Sequence, residues 1–137
     1  MEDCIFCNLE NSRIENESEL FISIKDLYPV TKGHTLIISK RHVASYFDLS
    51  EDEKTDLISF LDFERDKILR DDNSIDGFNV GINDGQHAGQ TIMHFHMHLI
   101  PRRKGDVKEP AGGVRGVIPN KQKLSLIHIS EPTRPSS

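Results

Sequence analysis

The sequence predicts a mixed domain in which antiparallel strand pairs flank one long helix. Three observations carry that prediction. Residues 93–99 alternate Met93, Phe95, Met97 and Leu99 with His94, His96 and His98, which is the two-residue period of a β-strand. Ser50-Glu51-Asp52-Glu53 is a capping box that opens an apolar stripe at helical spacing. Two apolar runs, 20–24 and 34–39, are joined by about eight loop residues, too few for a parallel crossover.

In chain order, the run 20–24 ends at Lys25-Asp26, and the segment 28–33 is a turn punctuated by Pro29 and Gly33. The run 34–39 is β-branched enough for a central strand. The helix is expected over 51–70, with Leu57, Phe60, Leu61, Glu64, Ile68 and Leu69 along its packed side. Acidic residues at its start and Lys67 and Arg70 at its end suit the helix dipole, and Asp71-Asp72-Asn73 stops it. A further strand over 77–82 leads through a polar, glycine-rich turn at 83–91 into the histidine strand, so these two should form a hairpin. The glycine-rich stretch 111–119 is either a surface arm or a flap over the site. Residues 124–137 share no rhythm with the rest and read as a tail added by read-through, leaving a domain of 1–123; His128 is given no role.

A chain of 137 residues can build one core without disulfides. Its net charge of -5 and pI near 5.8 argue against a nucleic-acid polymer as partner, although Arg102-Arg103-Lys104 is locally basic. No charged-then-apolar leader precedes Cys4, and no apolar run reaches membrane-spanning length. The expectation is a soluble, cytoplasmic protein. There Cys4-Ile5-Phe6-Cys7 is a metal or redox motif rather than a disulfide. The spacing fits a zinc knuckle, whereas the strand-then-helix setting of a redox motif is missing; the plain alternative is two small buried residues. A structural zinc takes four ligands, and His42, at the end of the second strand, is a candidate for the third.

Successive side chains of a strand point to opposite faces, so His94, His96 and His98 share one face and the apolar residues the other. Three uses of that face can be compared. As metal ligands, neighbours at i and i+2 stand roughly 6.6 Å apart, but a straight comb of three does not converge on one ion. As a polar surface, three histidines in register beside Gly-Gln-Thr would have no purpose. As nucleophile and acid–base groups, imidazoles are suited to phosphorus near neutral pH. His96, the middle ring, is best placed to attack, with its other nitrogen tied to an acceptor. His98 would flank the phosphate and His94 could face a different partner. The loop 85–91, with Gly89 in it, would supply backbone N–H donors.

At this point His94-Phe95-His96-Met97-His98-Leu99-Ile100 resembles the signature of the histidine triad (HIT) family of nucleotide hydrolases and transferases. Cys4-Ile5-Phe6-Cys7, Thr31-Lys32-Gly33-His34, Lys40-Arg41-His42 and Ala88-Gly89-Gln90-Thr91 extend the likeness over 4–118, towards bacterial-type members with an N-terminal zinc site. The resemblance implies an α+β fold, a five-stranded antiparallel sheet packed with one long and one short helix, and a homodimer that extends the sheet. It implies hydrolysis at the α-phosphate of a purine nucleotide, adenosine type favoured, through a covalent nucleotidyl-histidine. The substrate would be a phosphoramidate or a dinucleoside polyphosphate. It makes His96 the nucleophile and His34 a supporting residue. His98, Asn83, Gln90 and Thr91 are put on the phosphate, Asp26 on the ribose, and Phe21, Ile22 and Ile37 near the base. Structural Zn2+ would sit on Cys4, Cys7, His42 and His94. Histidine rather than glutamine at position 98 favours hydrolysis over transfer. A rival reading from another class is a zinc-stabilised nucleotide-binding or interaction module with incidental turnover, and a third is a metallohydrolase using the triad itself.

Overall fold

The computed structural model describes residues 2–124; the tail expected from Leu124 onward lies, past that residue, outside the described residues. Five strands form one sheet in the order β1-β2-β3-β5-β4: β1 (Ile14–Glu17), β2 (Phe21–Lys25), β3 (Thr35–Ser39), β4 (Gly77–Gly81) and β5 (His96–Arg102). Every neighbouring pair is antiparallel. One long helix, α1 (Glu51–Asp71), links the two halves of the sheet, so that β5 returns to lie between β3 and β4. The smaller helical elements are 3-10 turns, among them Asn11–Arg13, Tyr46–Asp48 and Gln86–Ala88. No helix among the described residues is long and apolar enough to cross a membrane.

Helix α1 starts where the capping box puts it. Ser50 Oγ accepts from the Glu53 N–H at 3.0 Å, and Glu53 Oε1 accepts from the Ser50 N–H at 2.8 Å. Glu53, Leu57, Phe60, Glu64 and Ile68 are buried, spaced by three or four residues as one packed face requires. Between α1 and the sheet, Leu57 and Phe60 pack with Phe21, Ile37, Phe95, Met97, Val43 and Leu49. Burying each such side chain stabilises the fold by roughly 1.5–3 kcal/mol. The buried carboxylate of Glu64 accepts from Ser23 Oγ at 3.0 Å.

The other sheet face carries a second core of Phe6, Ile24, Leu36 and Ile38, with Leu9, Ile22 and Ile92 against it. Register decides which residues share that face with the histidines. Ile38 pairs with His96 and Leu36 with His98, whereas Ile37 pairs with Met97. The helix-side layer and the histidine layer are therefore separated by the thickness of the sheet.

Three details differ from the periodicity. β1 is added at the edge; its Ile-Glu-Asn-Glu sequence lacks an apolar run, and its pairing to β2 is irregular between Ile14 and Asn16. β5 begins at His96 rather than Met93, because His94 closes a tight turn with its N–H on the Ile92 carbonyl. Met93 is accordingly 48% exposed instead of packed. β5 also runs through Pro101. Its carbonyl accepts from Thr31 Oγ1 at 2.6 Å, and β3 has ended opposite Leu99, so the missing N–H forfeits no ladder bond.

The chain divides into a compact unit ending at Lys104 and a second unit from Gly105. Among the described residues the second unit consists of 3-10 turns at Gly113–Val117 and Pro119–Lys121. Arg115 Nε donates to the Lys121 carbonyl at 2.9 Å, and Lys123 pairs with Glu109.

Candidate active site and metal cluster

Four of the expected metal ligands converge. The Cys4-to-Cys7 turn is closed by the Cys7 N–H on the Cys4 carbonyl and by Asn8 Nδ2 on the same oxygen. His42 follows β3 in a loop held by its neighbour: Arg41 grips Glu53 with Nε and Nη2, at 3.0 and 2.7 Å, and also donates to the Asp48 carbonyl. His94 arrives from the turn before β5. His94 Nδ1 stands 3.3 Å from Cys4 Sγ, 3.5 Å from Cys7 Sγ and 3.2 Å from His42 Nδ1, and Cys7 Sγ is 3.1 Å from His42 Nδ1. These four donor atoms all lie within 4.8 Å of one another. A tetrahedral ion with ordinary Zn–S and Zn–N bonds would separate its ligands by roughly 3.3–3.8 Å, so the set fits a metal ion. His94 Nε2–H donates to the Ser39 carbonyl at 2.7 Å, which leaves the Nδ1 lone pair facing the sulfurs. Burial, acting against that bond, depresses the His94 pKa and favours the neutral, ligating ring.

The same logic fixes the protons of the other histidines. His96 Nδ1 can only donate to the His94 carbonyl, 2.8 Å away, so its lone pair is on Nε2. His34 Nδ1 accepts from the Val30 N–H at 3.0 Å, so its Nε2–H donates to His98 Nδ1 at 2.9 Å. His98 then carries its proton on Nε2. The result is an alternation of roles on one face: His96 offers a lone pair and His98, 5.4 Å away between ring centroids, offers a proton. His98 is pushed down to about 4, first by burial and then by the neighbouring His96 and His34. His34, also buried, is lowered by desolvation with Asp26 opposing. Asp26 Oδ1 caps the turn by accepting from the Tyr28 N–H at 2.9 Å, and Oδ2 lies 3.5 Å from His34 Nε2.

Beside the triad, the loop 83–91 turns on Gly85 and Gly89, whose φ of 100° and 98° a side chain would strain. Asn83 packs its side-chain amide under Gly89, and Thr91 is exposed. Asp84 ties the loop to 45–46, accepting from Ser45 Oγ and the Tyr46 N–H.

Three expected nucleotide contacts are corrected by this geometry. Gln90 is 5% exposed and its amide is used within the protein: Oε1 accepts from the Gly85 N–H, and Nε2 donates to the Ala44 and Ile92 carbonyls. It braces the loop instead of presenting its side chain to phosphate. Phe21 and Ile37 are 0% exposed in the helix-side core, on the sheet face away from His96 and His98. Ile22 does lie on the histidine side. The residue that periodicity left out is Phe6. Its ring meets His96 edge-on at 5.0 Å and His94 at 5.9 Å. Its place between two cysteines was visible in the sequence; its partners were not.

A sheet of this topology with a histidine comb and a Cys/Cys/His/His cluster defines a class. The description "HIT domain" matches residues 10–105, and the chain belongs to the HIT family. A Dictyostelium discoideum protein named bis(5'-adenosyl)-triphosphatase is 38% identical over 99 residues, covering 72% of this chain and 65% of that one. The crystal structure of a HIT family protein from Bacillus anthracis superposes with a TM-score of 0.70 at 36% identity, covering 77% of each chain. A Zn-bound histidine triad family protein from Mycobacterium smegmatis does so with a TM-score of 0.63 at 34% identity, over 77% of this chain and 78% of that one.

Proposed function

We propose that this chain hydrolyses a purine nucleotide at its α-phosphorus, with His96 as the nucleophile. The observation that carries the reading is the 2.8 Å bond from His96 Nδ1 to the His94 carbonyl. It commits the ring to the tautomer whose Nε2 lone pair can attack. In the first step Nε2 bonds to phosphorus and the bond from phosphorus to the leaving group breaks. The leaving group departs with the electron pair of that bond and takes a proton from solvent, which the second step returns. In the second step water adds to phosphorus, its proton is released and the P–N bond breaks, freeing the nucleoside monophosphate and the neutral ring. His98 donates Nε2–H to a phosphate oxygen throughout, because its depressed pKa keeps that proton count fixed. Asn83 and Thr91 take the remaining oxygens, while the N–H groups of Gly85, Ala88, Gly89 and Gln90 are bonded within the loop and hold its shape. His34 holds His98 in its donor tautomer. Asp26, 20% exposed beside His34, is offered to the ribose hydroxyls, and the half-buried Ile22 on the histidine side is offered to the base. His96 is 8% exposed, so a substrate must seat directly against it.

The Dictyostelium relative's name supports an adenosine-type dinucleoside polyphosphate as substrate, with phosphoramidates as the other leaving-group class. The Cys4, Cys7, His42 and His94 cluster holds structural zinc in this reading, since the two-sulfur, two-nitrogen set leaves no open position. A homodimer extending the sheet through an edge strand completes the proposal. The test is turnover of diadenosine triphosphate, adenosine phosphoramidate and their guanosine analogues by wild type and His96→Ala. His96→Ala should lose at least ~10³-fold in kcat while still binding adenosine monophosphate. Equal turnover by the two proteins would leave a binding module with incidental activity.

A further inference from the structure

Phe6 forms a second contact between the metal cluster and the nucleophile, beside the His94 carbonyl. It lies between Cys4 and Cys7, is buried, and belongs to the apolar layer on the histidine side. Its ring stands against His96 with centroids 5.0 Å apart and planes at 72°, and against His94 at 5.9 Å and 89°. Edge-to-face contacts of this kind are directional, because a ring's positive edge is drawn to its neighbour's π-face. His96 is thus fixed twice. Its Nδ1 is bonded to the carbonyl of one cluster residue, and its ring is flanked by the side chain threaded between two others.

We propose that Phe6 is a positioning residue for the His96 ring, and that the Cys4/Cys7/His42/His94 cluster sets the nucleophile's orientation by fixing Phe6 on one side and the His94 carbonyl on the other. A hydrogen bond at Nδ1 leaves the imidazole free to swing about that axis; an aromatic edge against it removes the swing. Small errors in the placement of a reacting atom are costly in rate, while ground-state affinity need not change. The inference rests on the reading of His96 as the attacking group.

The informative substitution is Phe6→Leu, which keeps apolar volume and removes the aromatic edge. With metal content equal to wild type, Phe6→Leu should lower kcat roughly threefold to tenfold with KM unchanged. In the free protein at alkaline pH, the ring-proton and 15N resonances of His96 should move or broaden as the ring samples other orientations. Unchanged kcat and an unchanged His96 spectrum in metal-loaded Phe6→Leu would overturn the proposal. Should that variant fail to hold metal, wild type treated with a chelator serves instead. Its His96 resonances should shift when the metal leaves, and resonances indifferent to chelation would overturn the coupling. The two readings fail separately. If His96→Ala retains full turnover, the nucleophile assignment fails; if His96→Ala is inactive but Phe6→Leu matches wild type in rate and spectrum, only the positioning role does.

Discussion

At the scale of single residues, the site is a set of imidazoles whose proton positions are fixed by their neighbours. Three of the four relevant rings are tied to backbone: His94 to Ser39, His96 to His94 and His34 to Val30. His98 is tied to His34. This chain of bonds makes His34 separable from the chemistry it supports. His34→Ala should lower kcat about 10- to 100-fold, with monophosphate affinity within a factor of a few, because His98 loses the donor that fixes its tautomer. Steady-state kinetics on one substrate checks it; a His34→Ala enzyme with wild-type kcat would remove His34 from the account. The sequence made His96 legible because a two-residue period needs no tertiary information. It could not separate Ile37 from Ile38, since only the pairing with β5 tells which of two adjacent residues faces His96. Phe21 was misplaced for the same reason. Gln90 was put on the phosphate by the family likeness alone, and its three internal bonds show that its amide is occupied.

At the scale of elements, the start of α1 does two jobs. Its capping box orders the first turn, and Glu53 receives the Arg41 fork that holds the His42 loop. The Arg41 hydrogen bonds hold the buried Glu53 carboxyl down to about 2, against the cost of burial. A lowered carboxyl pKa stabilises the fold above its unfolded value near 4.5, and that contribution fades as pH falls towards 2. Arg41→Lys cannot reproduce the two-pronged contact. It should lower the urea midpoint and weaken metal retention, while Ser50→Ala should cost about 1 kcal/mol and leave metal retention unchanged. Equal metal retention in Arg41→Lys and wild type would detach the His42 loop from the helix. The helix was legible because its cap and stripe are local patterns. β1 was not, because an edge strand packed on one side needs no apolar run and Ile14 alone carried the signal.

At the scale of the whole molecule, the buried histidines make stability depend on pH in a defined direction. His98 falls from 6.5 to about 4 on folding, so between those values the unfolded chain binds more protons than the native one. Stability therefore declines as pH drops from about 6.5 towards 4, by about 3 kcal/mol from His98 alone. His34 and His94, shifted the same way, act with the same sign. Urea midpoints measured from pH 7 to 4.5 should fall accordingly, and His98→Gln should flatten the slope; a midpoint independent of pH would contradict the burial of these rings. Metal removal at neutral pH should lower Tm as well, since the cluster joins the N-terminal turn, the loop after β3 and the turn before β5. The pairings of β2 with β3 and of β4 with β5 were legible from connection lengths, and the family likeness added the strand count; the β3–β5 seam that joins the pairs was not, because no short connection links those strands. The Gly105 unit was not, because glycine-rich 3-10 turns have no period to read.

The central claim is a transient bond between phosphorus and one ring nitrogen. Mixing the protein with a slowly hydrolysed diadenosine polyphosphate and quenching in alkaline denaturant, which spares a P–N bond, allows its mass to be read peptide by peptide. The account predicts one added adenylyl group per active chain, on the peptide carrying His96, and none in His96→Ala. Turnover without any adduct, or an adduct on a different residue, would contradict it.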